Sequence, residues 1–190
     1  LKAADVGVVV SSGSDVAKET ADLVLLDNNF KTIVMAIKQG RVIFANIKKV
    51  ILYLLSDSFS EVMIIVGSLI MRIPLPILTV QILWVNLVND SLPALSLTME
   101  PEDEAIMNKK PRPHKKLLDF ENKFLIFTIS IITGATSLWL FWYFWKSTGD
   151  LDLARTVVFT ALAIDSLLYV FSIKSLDHNI FKAKPFRNMY

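Results

Sequence analysis

Hydrophobic and polar positions change their period several times along this chain. Val6, Val8, Val9 and Val10 make a short buried-strand pattern over residues 5–11, and a glycine-containing turn comes next at 11–14. Residues 15–21 are polar and helix-prone, with Ser14 or Asp15 suited to cap their N-terminus. A second apolar strand is predicted at 23–26, ending at Asp27, and Asn28 and Asn29 form a turn that can cap the next helix. From Phe30 the spacing becomes helical. Ile33, Ile37, Ile47 and Ile51 recur near helical spacing with Lys31, Lys38, Arg41, Lys48 and Lys49 between them, which predicts a basic amphipathic stalk with Gly40 as a point of interruption. The stalk turns fully apolar near Val50 and continues to about Met71.

Three more apolar stretches lie at about 77–99, 123–146 and 154–174, joined by a Pro-containing link at 72–76, a charged loop at 100–122 with Pro101, Pro111 and Pro113, and a short polar connection near 146–152. The stretch 124–145 contains no charged residue, and about 20 such residues span a bilayer. With 190 residues, 53% hydrophobic, and a mean hydropathy of +0.49, the predicted class is a mostly α membrane protein. Four transmembrane helices at about 42–71, 77–99, 123–146 and 154–174 are expected, preceded by a strand–helix–strand piece too small to fold alone. The chain then has three regions: a head and the start of the stalk at 1–41, a transmembrane domain at 42–175, and a juxtamembrane tail at 176–190.

Charge placement sets the expected orientation. The net charge of +2 favours no partner, but basic residues gather in the stalk, in the loop (Lys109, Lys110, Arg112, Lys115, Lys116) and in the tail (Lys174, Lys182, Lys184, Arg187). The positive-inside rule puts head, loop and tail in the cytoplasm. Trp139, Trp142, Tyr143 and Trp145 then read as an aromatic belt at the far interface or as an interior aromatic cluster. The Lys109–Lys116 run lacks interleaved aromatics, so no nucleic-acid partner is expected. The chain has no cysteine, and His114 and His178 are isolated, so thiolate and histidine metal sites and Ser-His-Asp chemistry have no support. The first ten residues lack the features of a signal peptide and an initiator Met, and the chain reads as an internal piece of something longer.

Carboxylates sit inside three of the four apolar stretches: Glu61, Asp90 and Asp165. Unpaired and charged at mid-bilayer, three would cost on the order of 8–10 kcal/mol. Groups held at such cost usually mark an ion pathway, so the three are expected to face one another and bind a cation. Asp57, Ser58 and Glu61 fall at i, i+1 and i+4, and Asn86, Asn89 and Asp90 at i, i+3 and i+4, each set on one expected helical face. Pro93 withholds the N–H that would bond the Asn89 carbonyl, which predicts a helix break there. Asp57 is a further ligand or a partner of Lys48 or Lys49, and Ser58 a ligand or a hydroxyl bonded back to its own helix. An all-oxygen set suits a hard cation such as calcium, with sodium and protons as alternatives. No nucleotide-binding glycine motif occurs in the chain.

Residues 1–10 (LKAADVGVVV), 13–19 (GSDVAKE) and 21–30 (ADLVLLDNNF) resemble the end of the phosphorylation domain of P-type cation ATPases, and residues 81–94 (QILWVNLVNDSLPA) resemble their sixth transmembrane helix. The likeness covers nearly the whole chain and is nearest to the calcium-pump branch of the type II group. It implies that the four spans are helices five to eight of a ten-helix transport domain. It also implies that the head is the end of a HAD-like phosphorylation domain, and that Glu61, Asn86, Asp90 and Asp165 stand at ion-ligand positions. Ser58 stands where reticulum-type calcium pumps place Asn, Asn89 where they place Thr, Asp165 where they usually place Glu, and Asp57 where a small polar residue is usual. The resemblance further implies ATP and Mg2+ as cofactors of a longer protein whose phosphorylated Asp and nucleotide domain lie outside this chain, so the chain alone is expected to be inactive. The expected partners are the lipid bilayer, the remaining domains of the same pump and the transported cation. A sodium/potassium or proton pump, or a non-enzymatic channel or membrane subunit, is the alternative.

Overall fold

The computed structural model describes residues 1–29, 31–101, 106–108 and 117–174. The basic residues predicted at 109–116, His114, His178 and the tail at 176–190 lie outside the described residues. The chain divides into two compact units, Leu1–Phe44 with Glu102–Pro111, and Ala45–Pro101 with Arg112–Tyr190.

In the first unit, β1 (Val8–Val10) and β2 (Leu23–Leu25) pair in parallel, with Val8 opposite Leu23 and Val10 opposite Leu25. Helix α1 (Asp15–Thr20) makes the crossover that parallel strands require. Both strands are shorter than the apolar runs that predict them. Ser14 is the N-cap, its Oγ accepting the Ala17 N–H at 3.3 Å. Asp22 accepts the Gly7 N–H at 2.7 Å and ties β2 to the residue before β1. Asn28, at φ 52°, accepts from Ser11 Oγ and Ser12 N at 3.1 Å, and Asn29 accepts the Lys31 N–H at 3.0 Å. The Thr32 hydroxyl and the Asn29 N–H hold the Asp27 carboxyl below the usual carboxylate range.

Helix α2 runs unbroken from Lys31 to Met71, 41 residues, so Gly40 does not interrupt it. It covers both the predicted stalk and the predicted first span. The predicted second span is not one helix. It is divided into α3 (Thr79–Trp84), a π-helical turn (Val85–Asn89) and α4 (Ser91–Thr98). The Asp90 N–H reaches back five residues to Val85 O at 2.9 Å, the signature of the π register. Pro93 itself lies inside the regular helix α4, and the irregular turn lies one turn before it, at Val85–Asn89. Helices α5 (Phe120–Thr148) and α6 (Leu151–Lys174) are continuous. Among the described residues three helices, α2, α5 and α6, are therefore long and apolar enough to cross a membrane.

Gly149 ends α5 at φ 71°, its N–H bonded to Trp145 O at 3.0 Å. Any side chain there meets the left-handed penalty, so Gly149→Ala should destabilise the protein by about 1–2 kcal/mol, read as a lowered melting temperature in detergent.

In the second unit α2 and the α3–π–α4 segment run antiparallel: Asn46 meets Thr98, Tyr53 meets Asp90 and Glu61 meets Asn86. Two apolar clusters hold the helices together. One contains Ile64, Ile77, Phe141, Ala154, Val158 and Leu162. The other contains Leu52, Tyr53, Leu97, Ile126 and Ile173. Helices α2, α5 and α6 contribute to both, so the side chains between the two clusters form a separate layer. Small residues let α5 approach α2: Ser130, Gly134 and Ser137 are buried at helical spacing, and Ser130 Oγ donates to Ser56 O at 2.9 Å. Trp139, Trp142 and Tyr143 face outward, while Trp145 packs against the first cluster beside Phe141.

Candidate cation site

The layer between the apolar clusters is polar. On α2, Tyr53, Asp57 and Glu61 recur every fourth residue, so their side chains stack along one buried face. On the facing segment, Asn86 and Asp90 lie at the two ends of the π turn. The antiparallel arrangement makes two rungs. In the first, Asn86 Nδ2 donates to both Glu61 carboxylate oxygens at 2.9 and 3.0 Å. The second, one helical turn away along α2, sets the buried Asp57 at the level of Asp90, which Tyr53 on the same face of α2 reaches at 3.2 Å.

Asp90 is 1% exposed and its Oδ1 is heavily used. It accepts from Ser166 Oγ at 2.7 Å, Tyr53 Oη at 3.2 Å and Asn89 Nδ2 at 3.4 Å. Its Oδ2 has no hydrogen-bond partner among the described residues, and neither has Asp57 Oδ2. A surrounding ring of hydroxyls fixes the helices: Tyr169 Oη donates to Ser56 Oγ at 2.9 Å, and Ser60 Oγ to Ser56 O at 2.8 Å. Tyr53 and Tyr169 stack with centroids 6.0 Å apart.

The expected cations are elsewhere. Lys48 pairs with Asp119 at 3.5 Å and Lys49 reaches Lys174 O at 3.5 Å, so neither neutralises Asp57. Lys174 pairs with Glu100 at 3.2 Å. Among the described residues no salt bridge reaches Asp57, Glu61 or Asp90. A buried carboxylate without a counter-charge is unfavourable by several kcal/mol, so this layer favours a positive species against its oxygens.

Two sequence expectations need correcting. Ser58 does not share the face of Asp57 and Glu61. A rotation of about 100° per residue carries it off that stripe, and it is exposed, with no hydrogen bond among the described residues. Asp165 has no hydrogen bond to Glu61 or Asp90 among the described residues. It sits on the exposed side of α6 and accepts from Thr133 Oγ1 at 3.1 Å. Among the described residues no three acidic or histidine side chains gather closely enough to hold a metal ion, so neutral oxygens would have to complete any ligand set. Asn89 is half-buried and turned toward Asp90 and Ala163 O. Sequence reasoning misses Tyr53, Ser56, Ser166 and Tyr169. Tyr53 carries a signal, since it lies four residues before Asp57. The serines carry none, because a serine in an apolar helix most often bonds its own backbone.

Known proteins share this arrangement of sequence. The family profile described as "Cation transporting ATPase, C-terminus" matches residues 74–190. The calcium-transporting ATPase of Bacillus subtilis is 40% identical over 194 residues, covering 100% of this chain and 22% of that protein. The human calcium-transporting ATPase type 2C member 1 is 35% identical over 186 residues, covering 96% of this chain and 20% of that protein. The endoplasmic reticulum calcium ATPase srcA of Aspergillus fumigatus is 38% identical over 152 residues, covering 78% of this chain and 16% of that protein. The chain thus spans about a fifth of the length of the relatives it matches. It belongs to the cation-transporting ATPase family, whose C-terminal part it carries.

Proposed function

We propose that this chain is the transport portion of an ATP-driven calcium pump. The observation that carries the reading is the buried layer of Asp57, Glu61 and Asp90, set between two apolar clusters and joined by no salt bridge among the described residues. Oxygen ligands on two facing elements suit a hard divalent cation. The relatives' names, calcium-transporting ATPase, support calcium as the cargo. Glu61, Asn86 and Asp90 are the central ligands in this reading. Asp57 and Asn89 lie beside them, while Ser58 and Asp165 would reach an ion only after a rotation or shift of their helices.

In this reading the α3–π–α4 segment is a fourth, broken span at about 77–99. Residues 1–41 are the end of a cytoplasmic phosphorylation domain with the start of the stalk, and the loop at 100–122 and the tail at 176–190 are cytoplasmic by the positive-inside rule. ATP and Mg2+ act elsewhere in the longer protein, where an aspartyl phosphate would form and break down. The bilayer, the other domains of the same pump and the cation are its partners. Helix α2, continuous from Lys31 to Met71, is the element suited to carry head movements to Asp57 and Glu61.

The full-length protein in membrane vesicles should hydrolyse ATP faster when calcium is added. Glu61→Ala should reduce that stimulation to background. Stimulation by sodium and potassium in place of calcium would reassign the cargo, and ATP-independent conduction would make the protein a channel.

A further inference from the structure

The elements that carry the polar layer are tied together a second time, near one end of the helices. Glu100 follows α4 and Lys174 ends α6, and their charges meet at 3.2 Å with the side chains only 13% and 15% exposed. Lys49 Nζ donates to the Lys174 carbonyl at 3.5 Å, so the end of α6 is answered from α2. Asn46 Nδ2, one turn earlier on α2, donates to Thr98 O at 3.1 Å and to Glu100 O at 3.0 Å. These bonds close a triangle of α2, α4 and α6. Leu52, Leu97 and Ile173, all buried, lie between it and the level where Tyr53 and Ser166 meet Asp90. Apolar contacts are non-directional, so they hold helices together without fixing how one slides or turns on another. An ion pair taken largely out of water adds little net stability, but displacing one partner leaves the other charge uncompensated. Its effect is therefore on register.

Building on the calcium-pump reading, we infer that Glu100 and Lys174 are positioning residues: their pair fixes the height and azimuth of α6 against α4, with Lys49 as the strut from α2. Ser166 lies eight residues before Lys174, about 12 Å along α6 and on nearly the same face. A turn or slide of α6 at Lys174 therefore moves the Ser166 hydroxyl that donates to Asp90 Oδ1 at 2.7 Å. On α2, Lys49 lies four residues before Tyr53, so the strut stands on the stripe whose Tyr53 hydroxyl reaches the same carboxylate oxygen. Glu100 and Lys174 act through these contacts and not as ligands.

Calcium-stimulated ATP hydrolysis by the full-length protein, followed across calcium concentrations, tests the inference. Lys174→Glu and Glu100→Lys should each raise the half-saturating calcium concentration about 10-fold, the scale on which lost support around a ligand is felt, and change the maximal rate far less. Lys174→Glu combined with Glu100→Lys restores opposite charges and should recover most of the lost affinity. Half-saturation unmoved in both single variants, a fall in maximal rate alone, or a double variant no better than the singles would overturn the inference and leave the pump reading intact. No calcium stimulation in the unmodified protein would overturn both. A reversible variant guards against misfolding. Glu100→Cys with Lys174→Cys, joined by a short bis-methanethiosulfonate reagent, should regain a half-saturation near that of the unmodified protein, and a thiol reductant should undo the gain. Failure of the two positions to cross-link, or equal half-saturation before and after cross-linking, would also overturn the inference.

Discussion

Asp90→Asn in the full-length protein is expected to abolish calcium-stimulated ATP hydrolysis while making the cation-free protein more resistant to heat. The two effects have one cause. Asn keeps an oxygen where Tyr53, Ser166 and Asn89 donate, and it puts an amide in place of the unpartnered Asp90 Oδ2. The substitution removes a buried acceptor that has no donor and takes a negative charge out of a layer that no salt bridge reaches among the described residues, for about 1–3 kcal/mol in favour of the fold. The same change removes a charged ligand from the layer. A fall of about 100-fold in calcium affinity, or about 2.7 kcal/mol, is the expected scale. Asp90→Ala loses the ligand as well, but strands three donors, so it should be inactive and less stable. Melting curves in detergent with calcium chelated, set beside hydrolysis rates, separate the two variants. Calcium stimulation that survives in both would remove Asp90 from the transport path.

Gly134→Val is expected to be among the most destabilising substitutions in the helices, and Gly67→Ala among the mildest at a close contact. A Cβ at Gly134 would lie 2.8 Å from Met63 Cβ and 3.6 Å from Ser60 O. Met63 Cβ is fixed to its backbone, so α2 and α5 would have to separate. The Ser130–Ser56 hydrogen bond at 2.9 Å would stretch with them. A Cβ at Gly67 would come closer still to Leu138 Cδ1, but that atom is the end of a flexible side chain that can turn away. The shorter contact is therefore the cheaper one. Overpacking of the Gly134 kind costs about 1–3 kcal/mol, and in the Gly67 case the Leu138 rearrangement should keep the loss below about 1 kcal/mol. Thermal unfolding of both variants in detergent decides the order; a larger loss at Gly67 would show that α2 and α5 are not held as rigidly at Gly134 as their packing indicates.

Much of the site can be read in the sequence because carboxylates in apolar surroundings stand out energetically. Glu61 and Asp90 are visible in this way, and Asn86 is visible by its spacing from Asp90. The setting of Asp57 at the level of Asp90 is not visible, because it depends on which face α2 turns to a segment whose turn is π rather than α. That local change in rise and rotation sets the side-chain directions, and Pro93 signals only that some irregularity is near. The exposed azimuths of Ser58 and Asp165 are not legible for a related reason: adjacency in sequence or a place in an apolar stretch does not fix azimuth. In the head, Ser14, Asn28 and Asn29 are legible as caps and turns since their chemistry is local. The strands are shorter than their apolar runs because only three residues on each side find a partner.

The division of the α3–π–α4 segment bears on how such a chain is made. Taken singly, this stretch is a poor candidate for lateral release into lipid. It contains Asn86, Asn89, Asp90 and a proline, and one central Asp alone disfavours insertion by about 2.5–3.5 kcal/mol. Its polar groups are answered by Tyr53 and Glu61 on the preceding helix and by Ser166 on a helix synthesised much later. If α3–π–α4 spans the bilayer as proposed, residues 45–98 would enter it as a hairpin during synthesis, and its acidic centre would wait for α6 before the Ser166 hydrogen bond formed. Ribosome-bound intermediates halted before residue 151 should consequently keep this segment within reach of the insertion machinery.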